Sequence, residues 1–434
     1  MLRSLTASGW GLWVCAVLAA VLPVTAGAVI IRQDDLAYTV KRKGPAAELY
    51  LQGVAALAAG KTEAAERSFQ EAMRGDPAAF EPMIGMAEVE LSRQQPKAAL
   101  TWLQRAEKAA PRSAAVQDAI GRYHFALRDY PAAEAALRKA QSLEPDNVLA
   151  NLDLGDLLLN ARNQPVEAEA AYRRALRSAP DHPGAYNGLG TALAAQGKYR
   201  EAIAALQRSA ELAPGNPLPR LSLARTLQAS QDWPGALAAY DAVLKLQPGL
   251  VPALLGRADV LAASGDAKGA LAAYERAVKT APTVDETHLR LGMALQGMGR
   301  TAEAERAYRE AVRLNPSQAL AYNNLAWMAA EQRRNLGEAR GWAEKAVGLV
   351  PAEPLFLDTL AWVQRAEGKP AEAVATLTRA SKMQGAGPEI WYHLGVIHEE
   401  QNRRTEAQQA YRKALSLEPR FSPAEQALKS LGQP

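Results

Sequence analysis

The sequence of 434 residues has few of the groups that usually carry chemistry or covalent cross-links. Its one cysteine is Cys15, so an intrachain disulfide is excluded and residues 16–434 offer no thiolate ligand to a metal. Aromatic residues make up 6% of the chain, and β-branched runs are scarce. The hydrophobic 48% consists mainly of Ala and Leu, which are strong helix formers. The composition therefore predicts an all-α protein.

The sequence also lacks a strong excess of charge of either sign. It contains 50 Lys and Arg against 46 Asp and Glu, a formal net charge of +4, and no basic block is longer than Lys41-Arg42-Lys43. Nucleic-acid-binding modules more often carry a basic stripe along one face. We therefore expect no nucleic-acid partner.

Catalytic and nucleotide-binding motifs are absent too. No G-x-G-x-x-G, P-loop or G-x-S-x-G pattern follows the N-terminal stretch. His393 and His398 are five residues apart, which puts them on different faces of a helix, whereas a helical zinc pair needs a spacing of four. We expect no catalytic residue, no cofactor and no metal site, and hence a protein that is not an enzyme.

The only long hydrophobic run lies at the N-terminus. Residues 9–31 carry no charge, and Arg3 precedes them. Two interpretations are open: Ala26-Gly27-Ala28 is the small-x-small cleavage site of a signal peptide, or the run is an uncleaved membrane anchor, which needs about 20 apolar residues. We expect residues 1–31 to bring the protein to a membrane, and residues 32–43 to form a basic linker. The expected location is periplasmic, either exported or anchored to the inner membrane.

Prolines recur along the rest of the chain at an almost constant interval. The gaps are 34 or 35 residues, and the last gap of 68 is two periods with Gly385 at the missing position. A period of 34 residues is the tetratricopeptide length. The recurring prolines are Pro77, Pro111, Pro145, Pro180, Pro214, Pro248, Pro282, Pro316, Pro351 and Pro419.

Small residues keep the same register as the prolines. The residue twelve positions before each terminal Pro or Gly is Ala in all eleven units: Ala65, Ala99, Ala133, Ala168, Ala202, Ala236, Ala270, Ala304, Ala339, Ala373 and Ala407. A second position is always Gly or Ala: Gly53, Ala87, Gly121, Gly155, Gly190, Ala224, Ala258, Gly292, Ala326, Ala361 and Gly395. A larger residue at either position would force two crossing helices apart.

Large apolar residues complete the pattern. One instance reads Tyr186-x-x-Leu189-Gly190 … Ala202 … Leu206 … Pro214. Residues 44–419 therefore resemble the tetratricopeptide-repeat family. The leader, together with the paired stretches at Asn323–Trp327 and Asp358–Trp362, resembles the bacterial envelope-associated members of that family. The resemblance implies a right-handed superhelical solenoid of about eleven helical hairpins, with residues 420–434 as a capping helix and tail. Two units are one residue longer than the others, and we expect their inner turns to take the extra residue.

The first helix of each hairpin lines the concave groove in this family. A paired pattern, Asn323-Asn324-Leu325-Ala326-Trp327 and then Asp358-Thr359-Leu360-Ala361-Trp362, singles out consecutive units. We therefore predict a partner-binding patch formed by Asn323, Trp327, Asp358, Trp362 and Arg365. Amide and indole groups suit the backbone and apolar side chains of an extended peptide; they also suit a sugar chain. Packing of the two Trp rings between repeats is the structural alternative.

Three functions remain open at this point. The first is a non-catalytic protein-interaction scaffold of the bacterial cell envelope that binds peptides or assembly components in its groove. The second is a regulatory array tethered to the membrane and facing the cytoplasm, because Lys41–Lys43 would favour the cytoplasmic side. The third is an accessory protein of polysaccharide export that binds a glycan.

Overall fold

The computed structural model describes residues 45–432, and all regular structure in that range is α-helical. The predicted leader and basic linker lie outside the described residues. The helices are α1 (Pro45–Ala58), α2 (Thr62–Gly75), α3 (Glu81–Ser92), α4 (Pro96–Ala109), α5 (Ala114–Ala126), α6 (Tyr130–Leu143), α7 (Val148–Asn160), α8 (Pro165–Ser178), α9 (Pro183–Ala195), α10 (Tyr199–Leu212), α11 (Pro217–Ala229), α12 (Trp233–Leu246), α13 (Val251–Ala263), α14 (Ala267–Thr280), α15 (Asp285–Gly297), α16 (Thr301–Leu314), α17 (Ala319–Gln332), α18 (Leu336–Leu349), α19 (Pro354–Ala366), α20 (Pro370–Ala380), α21 (Pro388–Glu400), α22 (Arg404–Leu417) and α23 (Ser422–Gly432).

The described residues fall into two compact units, 45–260 and 261–432. Helices α1–α12 belong to the first unit and α14–α23 to the second, while the boundary falls inside α13. Odd-numbered helices are the first members of consecutive hairpins and even-numbered helices the second, so eleven hairpins precede α23. The all-α prediction and the number of hairpins are confirmed.

The recurring proline sets where each second helix stops. A residue before proline is driven out of the α region because the proline ring clashes with it. Asp76 and Glu144, which precede Pro77 and Pro145, accordingly have φ of −141° and −142°. Several first helices then begin with a side-chain cap: the Asn147 side chain accepts a hydrogen bond from the backbone N–H of Ala150, at 3.0 Å.

The two small positions lie where the helices of a hairpin cross. All eleven alanines of the second helices are buried. A Cβ added at Gly292 would lie 2.6 Å from Cε1 of Tyr308, and one at Gly395 would lie 2.4 Å from Cε1 of Tyr411. Such distances are shorter than real Cβ contacts, so the close approach depends on glycine. The predicted packing role of these positions is confirmed.

The two longer repeats place their extra residue differently. Residues 161–164 separate α7 from α8, where other hairpins have three residues, as we expected. The second expectation was wrong: residues 333–335 still form a three-residue turn, and α17 has 14 residues where α15 and α19 have 13. Arg333 and Asn335 take left-handed conformations, with φ of 50° and 51°, because the lengthened helix must still meet the start of α18.

Ion pairs join some second helices to the turn that follows the next first helix. In the first unit the acidic partner lies on the helix: Glu66 pairs with Arg93 at 2.6 Å, Glu134 with Arg162 at 3.0 Å, and Glu169 with Lys198 at 3.0 Å. In the second unit the charges are exchanged, because Arg340 on α18 pairs with Glu367 after α19, at 2.6 Å. The same contact therefore occurs with two polarities.

Helix α23 closes the array, as the sequence predicts. Ala424 is buried in a cluster with Ala407, Tyr411 and Ala414 of α22, and Leu428 and Leu431 pack against it. Across residues 45–432, no helix combines the length and apolar character that a membrane span requires.

Candidate functional site

The five predicted patch residues lie on two neighbouring first helices of the second unit. Asn323 and Trp327 are on α17, and Asp358, Trp362 and Arg365 are on α19. Helices α17 and α19 pack against each other, as do α19 and α21. Residues at matching heights on consecutive hairpins are therefore brought together.

An aromatic stack forms the centre of the patch. The Trp327 and Trp362 rings are stacked, with centroids 5.5 Å apart and an interplanar angle of 10°. His393 of α21 joins them, at 4.4 Å from the Trp362 ring and 5.6 Å from the Trp327 ring. Both indoles are half-buried. Offset aromatic pairs of this kind stabilise by about 0.5–1.5 kcal/mol beyond their buried area, so part of the pattern is explained by packing between repeats.

Polar contacts fix the orientation of Trp362. Its indole Nε1 donates a hydrogen bond to Oε1 of Glu331, at 2.5 Å. The Arg365 guanidinium lies over the ring, 4.3 Å from the centroid, which is a cation–π arrangement. Arg365 also makes a two-bond ion pair with Glu400 of α21, with Nε 2.9 Å from Oε2. The cation of the patch is therefore already paired within the protein.

Asp358 is buried, at 4% exposure, and pairs with a side chain of the same protein. His393 Nδ1 lies 2.8 Å from Oδ1 and 2.9 Å from Oδ2 of this carboxylate. Because a carboxylate can only accept, Nδ1 of His393 is the donor in this contact. Asp358 thus positions His393, and through His393 it supports the aromatic stack.

Asn323 is the least satisfied member of the patch. Asn323 is 3% exposed, and its Oδ1 has no hydrogen-bond partner among residues 45–432. Nδ2 lies 3.5 Å from Oδ1 of Asn324, at the outer limit of a hydrogen bond. Leaving a buried acceptor unpaired costs about 1–3 kcal/mol. Packing alone does not account for this carbonyl.

The structure therefore brings the five predicted residues together, but with unequal exposure. Trp327, Trp362 and Arg365 are partly exposed, whereas Asn323 and Asp358 are buried. Their part in partner binding stays a prediction. His393, Glu331 and Glu400 also belong to the patch, although the pairing of two repeats did not single them out.

The histidines do not assemble a metal centre in the part of the chain that the structure covers. Within residues 45–432, no group of three or more His, Cys, Asp or Glu side chains is placed to hold a metal ion. His398 is half-buried, and burial lowers the pKa of its imidazole, with Glu406 and Arg403 acting in opposite directions. His182 is buried and caps α9, where its Nδ1 accepts from the backbone N–H of Ala185.

Comparison with known families decides the identity of the fold. A family model described as tetratricopeptide repeat matches residues 119–167, 161–217, 221–285, 289–354 and 359–425, and a second model of the same description matches 56–123. The chain belongs to the tetratricopeptide-repeat family. Members of this family are in general non-catalytic scaffolds that bind other proteins.

Individual relatives match only parts of the chain or of themselves. The chain is 31% identical over 158 residues to cellulose synthase operon protein C of Xanthomonas axonopodis pv. citri, which is 34% of this chain and 10% of the relative. It is 35% identical over 80 residues to a TPR repeat-containing protein of Pseudomonas aeruginosa, which is 18% of this chain and 13% of that relative. A solved structure, the APC/C hetero-tetramer Cut9-Hcn1, aligns over 90% of this chain and 97% of its own, with 14% identity and a TM-score of 0.47.

Proposed function

We propose that this tetratricopeptide-repeat protein is a non-catalytic scaffold of the bacterial cell envelope that binds an extended segment of a partner protein. The binding site is the patch of Asn323, Trp327, Asp358, Trp362 and Arg365, supported by His393. The observation that carries the proposal is the unpaired, buried Oδ1 of Asn323 beside a partly exposed Trp pair. These groups lie on adjacent first helices.

A peptide supplies what the patch lacks. A backbone N–H of an extended segment would donate to Oδ1 of Asn323, which receives no hydrogen bond from the residues that the structure describes. An apolar side chain of the same segment would cover the exposed parts of Trp327 and Trp362. Binding would then remove the cost of the unpaired carbonyl and bury aromatic surface together, which is typical of interface hot spots.

The envelope location is supported by the leader. Residues 9–31 are uncharged and apolar, and Arg3 precedes them, as in a signal peptide or a signal anchor. A signal peptide would carry the repeat array across the inner membrane, and an anchor in the same orientation would hold the array at the outer face of that membrane. A cytoplasm-facing array is the opposite orientation, and a reporter fused after residue 45 distinguishes the two.

An accessory role in polysaccharide export is the second candidate. It is favoured by the similarity to a relative whose name places it in a cellulose synthase operon. The geometry of the patch suits a peptide better, because Trp327, His393 and Arg365 already cover much of the Trp362 ring. Binding of cello-oligosaccharides that alters the Trp fluorescence of wild type, and is lost in Trp327→Ala, would favour the glycan over the peptide.

The test is affinity capture from membrane extracts with matched variants. Trp102 and Arg105 form a cation–π pair at 4.2 Å with the same spacing as Trp362 and Arg365, so Trp102→Ala is the control for loss of a partly buried indole. We expect a partner that wild type and Trp102→Ala retain and that Trp362→Ala loses. Once that partner is purified, Trp362→Ala should weaken its Kd about thirtyfold, since a Trp hot spot costs at least about 2 kcal/mol.

A second variant separates binding from folding. Asn323→Leu removes the unpaired acceptor, so it should leave the melting temperature unchanged or higher while partner capture falls. Loss of stability in Trp362→Ala with capture intact, together with normal capture by Asn323→Leu, would show that the patch only holds repeats together.

A further inference from the structure

Three side chains of the patch follow one another at intervals of four residues along α17: Asn323, Trp327 and Glu331. Residues four apart lie on the same face of a helix, each one turn beyond the last. The acceptor of Asn323 that has no partner is therefore one turn from the aromatic stack, and Glu331 is one turn farther on. One face of α17 carries an amide, an indole and a carboxylate in turn.

Glu331 is held in place, but its charge is not neutralised. Its Oε1 accepts the hydrogen bond from Nε1 of Trp362, at 2.5 Å, and no cationic side chain among residues 45–432 forms an ion pair with it. Arg365 lies over the Trp362 ring, yet it pairs with Glu400 instead. A neutral indole donor fixes the direction of a carboxylate and leaves its charge. Glu331 is exposed, so a cation of another molecule can reach it.

The patch as a whole carries more acidic than basic side chains. Asp358, Glu331 and Glu400 are carboxylates, whereas Arg365 is the one guanidinium of the patch. With these four groups ionised, three negative charges and one positive charge leave a sum of −2, and protonation of His393 would still leave −1. A surface of one sign attracts segments of the opposite charge and repels segments of its own charge. The patch therefore favours a cationic partner segment over an acidic one.

The spacing of the three groups on α17 matches that of an extended peptide. Residues four apart on a helix are separated by about 6 Å along its axis. Residues two apart in an extended chain are separated by about 6.6 Å and point to the same side. A segment lying along α17 can therefore place every second residue against Asn323, Trp327 and Glu331 in turn.

We propose that the partner segment carries an Arg or Lys two residues from the apolar residue that covers the Trp pair, and that Glu331 binds this cation. The inference rests on the function proposed above and specifies the sequence of the partner. The cation would form an ion pair with Oε2 of Glu331, because Oε1 already accepts from the indole of Trp362. An Asp or Glu at the same place in the segment would be repelled by the carboxylates of the patch.

The test uses the full chain in a neutral detergent and three labelled peptides of glycine and serine with a central leucine. The first peptide has arginine two residues to either side of the leucine, the second has citrulline at those places, and the third has arginine directly beside the leucine. Citrulline keeps the shape of arginine without its charge. We expect fluorescence anisotropy to show about fivefold tighter binding of the first peptide than of the other two. Added salt should reduce its advantage over the citrulline peptide, because exposed charges are screened.

Three variants locate the binding. Glu331→Gln keeps an oxygen that accepts from Trp362 but removes the charge, so it should bind the first two peptides equally. Glu338→Gln, at an exposed acid of the same unit that pairs with Arg309, should keep the preference for arginine. Trp327→Ala should weaken the first two peptides alike.

Equal binding of the first peptide and either of the others to wild type, or an undiminished preference for arginine in Glu331→Gln, would overturn this inference. The peptide site itself would stand if that binding were still lost in Trp327→Ala. No binding of any peptide, or binding that Trp327→Ala leaves intact, would overturn both the inference and the site.

Discussion

Gly292→Ala tests the helix crossing on which every hairpin depends. Gly292 lies on α15 opposite Tyr308, a fully buried side chain of α16. The added Cβ would lie 2.6 Å from Cε1 and 2.7 Å from Cδ1 of the Tyr308 ring. The ring cannot rotate away freely, because its hydroxyl donates a hydrogen bond to Oε1 of Gln296 at 2.7 Å. Relief must therefore come from separation of the two helices.

Two opposing terms set the magnitude. Overpacking a well-filled core costs typically about 1–3 kcal/mol. Alanine in a helix interior is favoured over glycine by about 0.5–1 kcal/mol. The difference predicts a net loss of about 0–2.5 kcal/mol in the free energy of unfolding, measured by chemical denaturation followed by circular dichroism.

Gly341→Ala is the matched control. Gly341 lies on α18 of the same unit, and a Cβ there would meet no atom within 4 Å. Only the helix-propensity term then applies, so this variant should gain about 0.5–1 kcal/mol. If Gly292→Ala were stabilised as much as Gly341→Ala, the crossing of α15 and α16 would not be limited by the contact with Tyr308, and the argument for glycine at this position would be refuted.

Further predictions concern the core, the buried carboxyl group of Glu88 and the leader. Ala202→Leu, at a fully buried crossing position of α10, should lower the free energy of unfolding by about 1–3 kcal/mol in the same denaturation assay. The pKa of Glu88 is raised to about 7, so between about pH 4.5 and 7 the folded protein holds a proton that the unfolded chain has released. The free energy of unfolding should therefore fall as pH rises through this range, by at most about 3 kcal/mol. Glu88→Gln should abolish that fall in melting experiments from pH 4.5 to 8. Protein without residues 1–31 should no longer fractionate with membranes, and mass analysis of the native N-terminus distinguishes cleavage, with a start near Gly27 or Val29, from an intact anchor.

The fold could be predicted from the sequence because each repeat satisfies the same packing requirement. Proline ends the second helix, and small residues recur on both helices where they cross. The sequence period and the packing positions therefore agree in every repeat. The extra residue before Arg333 was placed wrongly because a helix can lengthen by one residue at little cost when the next turn takes left-handed conformations. Local sequence does not distinguish that solution from a longer turn.

The candidate site was predictable only in part. Trp327 and Trp362 hold equivalent positions in consecutive repeats, so a comparison of repeats finds them. His393 is not equivalent to Asp358; it stands one position later in its own repeat, and the two meet because neighbouring helices are offset. Contacts between unlike positions need the geometry of the packed helices. The buried ion pair between Glu88 and Arg122, at 2.9 Å, had a weak sequence signal, since the two residues are 34 apart and both follow the small residue of their helix.

The ion pairs between hairpins have opposite polarity in different parts of the chain, and this limits which repeats can follow one another after a duplication or deletion. Tandem repeats of similar sequence are prone to be lost or duplicated by recombination. The new contact between two repeats that were not neighbours before must then still be favourable. If the hairpin of Arg340 were followed by one whose turn carries Arg93 or Lys198, two cations would face each other where Arg340 now meets Glu367. Each exposed pair contributes at most about 1 kcal/mol, yet the reversal changes attraction into repulsion. Proteins in which repeats had been reordered would thus carry repulsive contacts between hairpins. The order of the repeats is therefore under a physical constraint.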